Sequence, residues 1–515
     1  MTETPEAPNE RYAWYVLGVL VLVYMLNFID RQILSILAED IKADLGLTDA
    51  DLGFLYGTAF GVFYSLFGIP LGRLADNWHR VRLMTAGLAL WSAMTALSGF
   101  ARSGLQLAGA RVGVGIGEAT ASPCAYSLIS DYFPKEKRAT ALAVYSSGLY
   151  LGGGLSLFIG GLIVQNWNLH FPGGGPLGLV GWQAAFLAVG IPGILVALWV
   201  ASLREPVRGL SEGIVTPPAE RPFLAFFEEL LTIVPPLTLI DAARRGLRPL
   251  AVNLAAAAVT LLVSGWLARA TGNMLQWAAV GLGVYAVFSW ATALRARDLP
   301  TYRLIVGTPA FILTVIAYGL NAFMAYAMAF WAAPYAMRML GAAASEAGFI
   351  IGGSGALGGF LGVVIGGRIA DRLRRRNPAG RLAVVIFGSV APAPLMVIAF
   401  TTPSLPIFYA MVLPAQLLAS AALGAAAATT QDLVLPRMRG TATATFFIGT
   451  TLLGLALGPY LAGYVSTVSG SLATGMLSLL ATVPLALAAA VAAYKLLPAA
   501  EAGRVERARA AGEPI

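Results

Sequence analysis

Apolar runs of about twenty residues, parted by short charged clusters, succeed one another along nearly the whole chain. A run of that length crosses the hydrocarbon of a bilayer as a helix. The period-two alternation of an outer-membrane barrel is absent, and the runs are too long for barrel strands. Six spans are predicted first, near 14–38, 51–71, 83–101, 105–129, 139–165 and 182–202, and six more near 304–335, 346–366, 382–401, 406–429, 441–465 and 472–497. Between the two sets, residues 203–303 start as a polar, Pro-containing stretch. An apolar-faced segment follows around Phe223, Phe226, Phe227, Leu230 and Leu231, and then two further runs at about 249–268 and 274–294. The apolar-faced segment reads as an interfacial amphipathic helix and the two runs as a transmembrane hairpin. The expected protein is all-α and integral to the membrane, with about fourteen spans. An N-terminal six-helix bundle (1–202) precedes a cytoplasmic linker with its hairpin (203–303), a C-terminal six-helix bundle (304–498) and a cytoplasmic tail (499–515).

The two sets of six repeat one another. Gly72-Arg73-Leu74-Ala75-Asp76 recurs 295 residues on as Gly367-Arg368-Ile369-Ala370-Asp371, and Gly53-Phe54 with Gly57 recurs at the same offset as Gly348-Phe349 with Gly352. Asp131 and Arg138, seven apart, recur as Asp432 and Arg439. Two six-helix repeats of one orientation are parallel repeats about an axis along the membrane normal.

Composition agrees: 58% of the 515 residues are hydrophobic and 12% charged, about half the charge of a soluble protein. The net charge of +8 needs no nucleic-acid partner, because the basic residues collect in alternate loops. Loop 39–51 is acidic, loop 72–82 carries Arg73, Arg80 and Arg82, and the second half carries Arg368, Arg372, Arg374, Arg375 and Arg376 after its second span. By the positive-inside rule both termini face the cytoplasm, in the inner (plasma) membrane of the cell. Glu3, Glu6 and Glu10 precede the first basic residue, unlike a cleavable basic-start signal. A single cysteine, Cys124, excludes an intrachain disulfide, and His79 and His170 fall in opposite-side loops, so no metal or organic cofactor is expected. Neither an acyltransferase-type His/Asp pair nor a phosphate loop is present, which argues against an enzyme.

Charge inside a span is the exception that carries chemistry. Asn27-Phe28-Ile29-Asp30-Arg31 lies within the first span, where each charge costs roughly 2.5 to 3.5 kcal/mol on the insertion scale. Neighbours point about 100° apart on a helix, so Asp30 and Arg31 must find partners elsewhere. The fourth span offers Arg111 and Glu118, seven residues apart on one face. Counted from the outer ends at 1.5 Å per residue, Asp30 and Arg31 lie roughly 12 to 14 Å deep, Arg111 about 10 Å and Glu118 about 21 Å. Arg111 is level with Asp30 and Glu118 lies deeper, within reach of the long arm of Arg31, so the pairs Asp30 with Arg111 and Arg31 with Glu118 are expected in at least one state. A static cluster joining the two helices is the bland alternative; against it, Gly and Leu could make that joint without desolvating four ions. The functional reading is a proton switch, in which a carboxylate that loses its guanidinium partner takes up a proton and releases it when the partner returns. The second half has no such charges in mid-span. Its first span holds Asn321, Phe323, Tyr326, Phe330, Trp331 and Tyr335 between Gly319 and Pro334, which suggests a broken, cavity-lining helix. With Phe28, Tyr56, Phe60, Tyr145 and Phe447 these residues are expected to line an apolar pocket.

The repeated Gly-Arg-x-Ala-Asp loop resembles the signature loop of the major facilitator superfamily, with Asn77 where an Arg is common and His79 where a Gly is common. Asn27 to Arg31, Gly113-Val114-Gly115-Ile116-Gly117-Glu118-Ala119 and Asp131-Tyr132-Phe133-Pro134 resemble its spinster branch, whose animal members are linked to lysolipid and sphingosine-phosphate transport. The resemblance implies Asp30, Arg31 and Glu118 in proton coupling. It also implies that Asp76 latches the halves against the start of the eleventh helix near Gly440 and Thr441, with Asp371 mirroring it against Ala139 and Thr140. Arg80, Arg82, Arg138 and Arg439 are the basic members of that cytoplasmic gate. The expected function is proton-coupled transport of a lysolipid-like or other amphipathic anion by alternating access, in a monomer. A broad lipophilic-compound exporter and a passive lipid scramblase are the alternatives.

Overall fold

The computed structural model describes residues 9–209 and 220–514. Part of the Pro-containing start of the insert, 210–219, lies outside the described residues. Among the described residues, thirteen helices are long and apolar enough to cross a membrane. A fourteenth crossing is made in two pieces, Gly104–Glu118 and Ala121–Tyr132. With the hairpin Leu247–Thr271 and Met274–Arg297 set aside, twelve core helices remain and are numbered here in chain order. Helices 1 to 6 are Glu10–Leu45, Asp49–Asn77, Arg80–Ser98, the two-piece crossing, Lys135–His170 and Gly181–Ala201. Helices 7 to 12 are Pro309–Leu340, Ala344–Arg376, Gly380–Thr401, Leu405–Asp432, Pro436–Ser469 and Leu472–Ala502.

Local chemistry explains the breaks. In helix 4 the Thr120 hydroxyl donates to the Gly117 carbonyl (2.8 Å), and Pro123, one turn on, has no N–H to continue the ladder. The expected start of helix 7 at 304 is corrected to Pro309. Residues 299–305 form a separate short helix capped by Asp298, whose carboxylate accepts from Thr301 N at 3.1 Å. The expectation that helix 7 is broken is also corrected: it runs through Pro334 without interruption. Proline leaves the carbonyl four residues back without its helical donor, and here Phe330 O accepts from Ser35 Oγ of helix 1 at 2.5 Å.

The two halves meet mainly at the end that the loop charges assign to the outside. Helices 2 and 11 each contain a short π-helical stretch, Phe54–Thr58 and Thr451–Leu455, and these stretches face each other. Thr58 Oγ1 donates to Ala456 O (2.6 Å), and a Cβ on Gly57 would lie 2.2 Å from Leu455 O. Helices 5 and 8 are joined by Ser345 N to Gln165 Oε1 (3.0 Å) and by the ring pair Phe158 and Phe349.

The insert packs beside the helix 2 and helix 11 seam. Ala286 and Trp290 of its second long helix form a small core with Val62, Leu66 and Ala456. Its first long helix leaves Leu261, Leu262 and Trp266 about two-thirds to three-quarters exposed, as a lipid-facing helix does. The apolar-faced segment is the helix Pro222–Ile233, bent by 92° from Leu237–Arg245 and resting on Trp78 through Phe223. Asp298, after the hairpin, is held at a pKa of about 2, chiefly by its hydrogen bonds from Arg437 (2.7 Å) of helix 11. That tie therefore persists across physiological pH.

Any side chain at Gly57 collides with helix 11 backbone only while the outer end is closed. Gly57→Val is expected to deplete this conformer. In a Cys124→Ala background, a cysteine placed at Phe54 would then label faster with a membrane-impermeant thiol reagent, and unchanged labelling would sink the assignment.

Candidate functional site

Helix 4 reaches its neighbours through three glycines. A Cβ on Gly115 would stand 2.6 Å from Phe60 O of helix 2, and one on Gly117 2.8 Å from Trp91 N of helix 3. Met94 of helix 3 fills the space in front of Gly113. This close approach sinks Arg111 and Glu118 into the N-terminal half, where both are 1% exposed, beside Asp30 (1%) and Arg31 (7%) of helix 1.

Arg31 Nη2 donates to Glu118 Oε2 at 2.8 Å, which is the expected pair. The other expected pair is not formed in this conformer. Arg111 Nη1 donates to the backbone carbonyl of Asp30 (3.0 Å), while the Asp30 carboxyl faces Trp91 and Thr95 of helix 3. The reason is directional, since the Asp30 carboxyl is turned toward helix 3 and leaves its carbonyl in front of Arg111. Asp30 Oδ1, Glu118 Oε1 and Arg111 Nη2 make no hydrogen bond of ordinary geometry among the described residues, although Thr95 and Trp91 stand beside the Asp30 carboxyl and Asn27 beside Glu118. Rings shield the cations: the Arg31 guanidinium lies 4.5 Å from the Phe60 centroid, 4.7 Å from Phe28 and 5.1 Å from Tyr64, and Arg111 lies 5.4 Å from Phe60 on its other approach. Weakly hydrated guanidinium tolerates such a cage where ammonium would not.

The expected pocket residues divide. Phe28 and Phe60 stack on the cations, Tyr145 stacks on Tyr24 (4.4 Å), and Tyr326 of helix 7 faces Arg31 from the other half. By contrast, Tyr56, Asn321, Phe323, Phe330 and Trp331 are buried joints in this conformer. Tyr56 stacks on Phe330 (4.4 Å) and donates to Gln32 (2.6 Å), Asn321 donates to Ala419 O (3.1 Å), and Trp331 donates to Pro459 O (2.9 Å). Tyr335 donates to Phe400 O (3.1 Å), and Phe447 is half exposed. Tyr24 and Tyr64 were not singled out from sequence. Each lies one helical turn from a chosen aromatic, Phe28 and Phe60, and the i,i+4 spacing was the available signal.

The inner-end residues are placed within their own halves. Arg80 is buried and pairs with Asp131 and with Glu205 (2.7 Å), while Arg82 and Arg439 are exposed. Arg138 donates to Ser130 O (2.8 Å), and Asp371 pairs with Arg381 (3.0 Å). Asp76 has Arg208, Arg73 and Arg80 around it. Arg208 in turn donates to the carbonyls of Ala75 (2.8 Å) and Trp78 (3.2 Å) at the end of helix 2. In this conformer the first residues of the insert, rather than helix 11, hold the signature loop.

Sequence reasoning missed a clasp at the outer end. Arg338, in the last turn of helix 7, donates to both Glu39 oxygens (2.6 and 3.0 Å) and to both Asp49 oxygens (2.7 and 2.8 Å). Lys42 (2.7 Å) and Ser466 of helix 11 (2.6 Å) also donate to Asp49, which is 4% exposed. The clasp joins helices 1 and 2 to helices 7 and 11. The signal was present in an acidic loop facing one Arg at the end of a span.

Two parallel six-helix bundles closing around a buried ionic cluster define a membrane transporter. The chain matches the Major Facilitator Superfamily over residues 20–320, more than half its length, and belongs to that family. Its likenesses include the spinster branch. It is 26% identical over 477 residues to "Protein spinster homolog 1" of Xenopus tropicalis, covering 88% of this chain and 73% of that one. It is 29% identical over 466 residues to an "MFS-type efflux pump" of Mycolicibacterium smegmatis, covering 90% and 87%. The crystal structure of a bacterial homologue of the human lysosomal transporter Spinster, inward-facing and occupied, superposes with a TM-score of 0.66 at 26% identity, covering 98% of each chain.

Arg338→Gln leaves Asp49 buried with only Lys42 and Ser466. The outer-closed conformer is expected to lose about 3 kcal/mol, the lower end for removing one partner of a buried pair. Double electron–electron resonance between spin labels at the outer ends of helices 1 and 7 would show a longer distance, and Asp49→Asn added to Arg338→Gln would restore part of the shorter one.

Proposed function

We propose that this chain is a proton-coupled secondary transporter that carries an amphipathic anion of lysolipid type by alternating access. It would do so as a monomer in the inner (plasma) membrane of the cell, with both termini on the cytoplasmic side. The observation that carries the proposal is the buried Arg31 and Glu118 pair beside Asp30 and Arg111, four charges summing to zero inside one half. A buried pair of this kind is a poor stabiliser compared with packed apolar side chains, so its presence argues for a task. Among the described residues, every buried charge within the spans belongs to the N-terminal half.

In the proposed cycle the clasp at Arg338 holds the outer end shut while the inner end gives access to the cluster. The anionic head of the substrate approaches Arg31, in competition with Glu118, and its tail meets Tyr326 and the neighbouring aromatics. A guanidinium drawn toward the substrate leaves Glu118, and the freed carboxylate binds a proton; return of Arg31 expels it. Asp30, whose Oδ1 is unengaged, is the second candidate acid. A second reading, a broad exporter of lipophilic compounds, is favoured by the efflux-pump relative and by the apolar C-terminal half.

The test is flux of a labelled lysolipid in proteoliposomes with and without an imposed pH gradient. The gradient is expected to drive accumulation in the native chain, and Glu118→Gln is expected to abolish the driven part while leaving exchange at equal pH. Flux indifferent to both would return the cluster to a structural role and leave a passive scramblase; competition by cationic lipophiles but not by lysolipids would favour the exporter.

A further inference from the structure

At the inner end of the C-terminal half a cleft of about 350 Å³ opens between the last turn of helix 8 and the end of helix 12. Arg374, Pro378, Pro498, Glu501, Arg504 and Val505 line it. Its two cations differ in how they are compensated. Arg374 pairs with Glu501 and approaches Asp432 at 3.6 Å. Arg504 has no ion pair among the described residues; its one hydrogen bond runs from Nη1 to the backbone carbonyl of Asp432 (2.5 Å). A guanidinium carries five N–H donors, so Arg504 brings unspent donors and a whole positive charge to the cleft. Arg375 and Arg376, next along the chain from Arg374, are exposed and do not line the cleft.

The positive-inside rule accounts for arginines at this end of the helices, but not for a cleft with an apolar rim beside one that has no ion pair. Pro378, Pro498 and Val505, all exposed, supply that rim. Ile369 and Leu496, both exposed, lie on the membrane side of the arginines along helices 8 and 12. The site thus stands where two membrane helices end, with charge on one side and exposed hydrocarbon on the other. A free inorganic anion would use only the charge. An anionic phospholipid uses both, its phosphate on the guanidinium and its acyl chains along the helices.

We infer that the Arg374 and Arg504 cleft binds the phosphate head of an anionic phospholipid of the surrounding leaflet, a site separate from the transport cluster and independent of what is transported. The experiment uses the full chain in neutral detergent. Thermal stability and native mass spectrometry are followed while dioleoyl-phosphatidylglycerol, dioleoyl-phosphatidylcholine or inorganic phosphate is added. Phosphatidylglycerol is expected to stay bound and to raise the melting temperature, and the other two are not. Arg504→Gln is expected to weaken phosphatidylglycerol roughly fivefold, the usual effect of one basic residue at an anionic surface. Val505→Glu changes an exposed rim position and breaks no hydrogen bond; it must weaken binding at least as much, which separates lost binding from misfolding. Equal retention of phosphatidylglycerol by both variants overturns the inference, as does equal protection by inorganic phosphate. So does an equal loss in the Arg375→Gln, Arg376→Gln double variant, which would show diffuse surface attraction.

Discussion

The interaction on which the rest of this structure depends is the ion pair of Arg31 with Glu118, closed at 2.8 Å with neither side chain open to solvent beyond a trace. Two such charges in a bilayer are tolerable only together, and only when the helices bearing them meet closely. The glycines of helix 4 are there for that reason: without Gly115 and Gly117 it could not lie against the backbones of helices 2 and 3. The aromatic rings of Phe28, Phe60 and Tyr64 around Arg31 complete the enclosure.

Helix 1 links this pair to the contacts between the halves. It is unbroken from Glu10 to Leu45, and Arg31, Ser35 and Glu39 follow one another at a spacing of four on one face. Arg31 meets Glu118 in its own half, Ser35 donates to Phe330 O in the other, and Glu39 takes Arg338. The three contacts are stacked along about 12 Å of helix. A rigid helix cannot shift at Arg31 without loading Ser35 and Glu39, so occupation of the cluster and closure of the outer end share one mechanical element. This is a physical route for coupling: two bonds between halves and one within a half, all on a single helix face.

What was legible in the sequence followed from local rules. The spans, the hairpin and the repeat were visible because bilayer thickness sets run length and because Gly-Arg-x-Ala-Asp recurs in order. The Arg31 and Glu118 pair was legible from depth together with the reach of an arginine side chain. The orientation of Asp30 was not, since depth fixes the level of a side chain and not the face of the helix that carries it. Helix 7 was misread because Pro334 normally signals a break; the donor that compensates it, Ser35, is 299 residues away. That Tyr56, Phe330 and Trp331 are buried joints in this conformer is not legible in the sequence, because an aromatic that packs between helices and one that lines a cavity have the same spacing. The clasp was overlooked because its charges lie at the ends of spans, where solvated residues are the rule.

The repeat and the chemistry divide differently across the chain. The signature loops and the Asp131 and Asp432 positions are shared by both halves, and each half uses them to tie its own inner end: Arg80 to Asp131 in one, Arg381 to Asp432 in the other. The shared Gly53 and Gly348 motifs instead join the halves, helix 2 to helix 11 and helix 8 to helix 5. The buried charges are not shared. A symmetric scaffold supplies two bodies that can rock about the facing π-helical stretches of helices 2 and 11. A local, asymmetric set of four charges lies in mid-span in the N-terminal half, apart from the carboxylates of the outer clasp, Glu39 and Asp49. Placing them all in one half lets the other half remain apolar, the wall that meets the hydrocarbon part of the substrate in the proposed cycle. In the proposed transport cycle, recognition of the head and coupling to the proton are then the same event at Arg31.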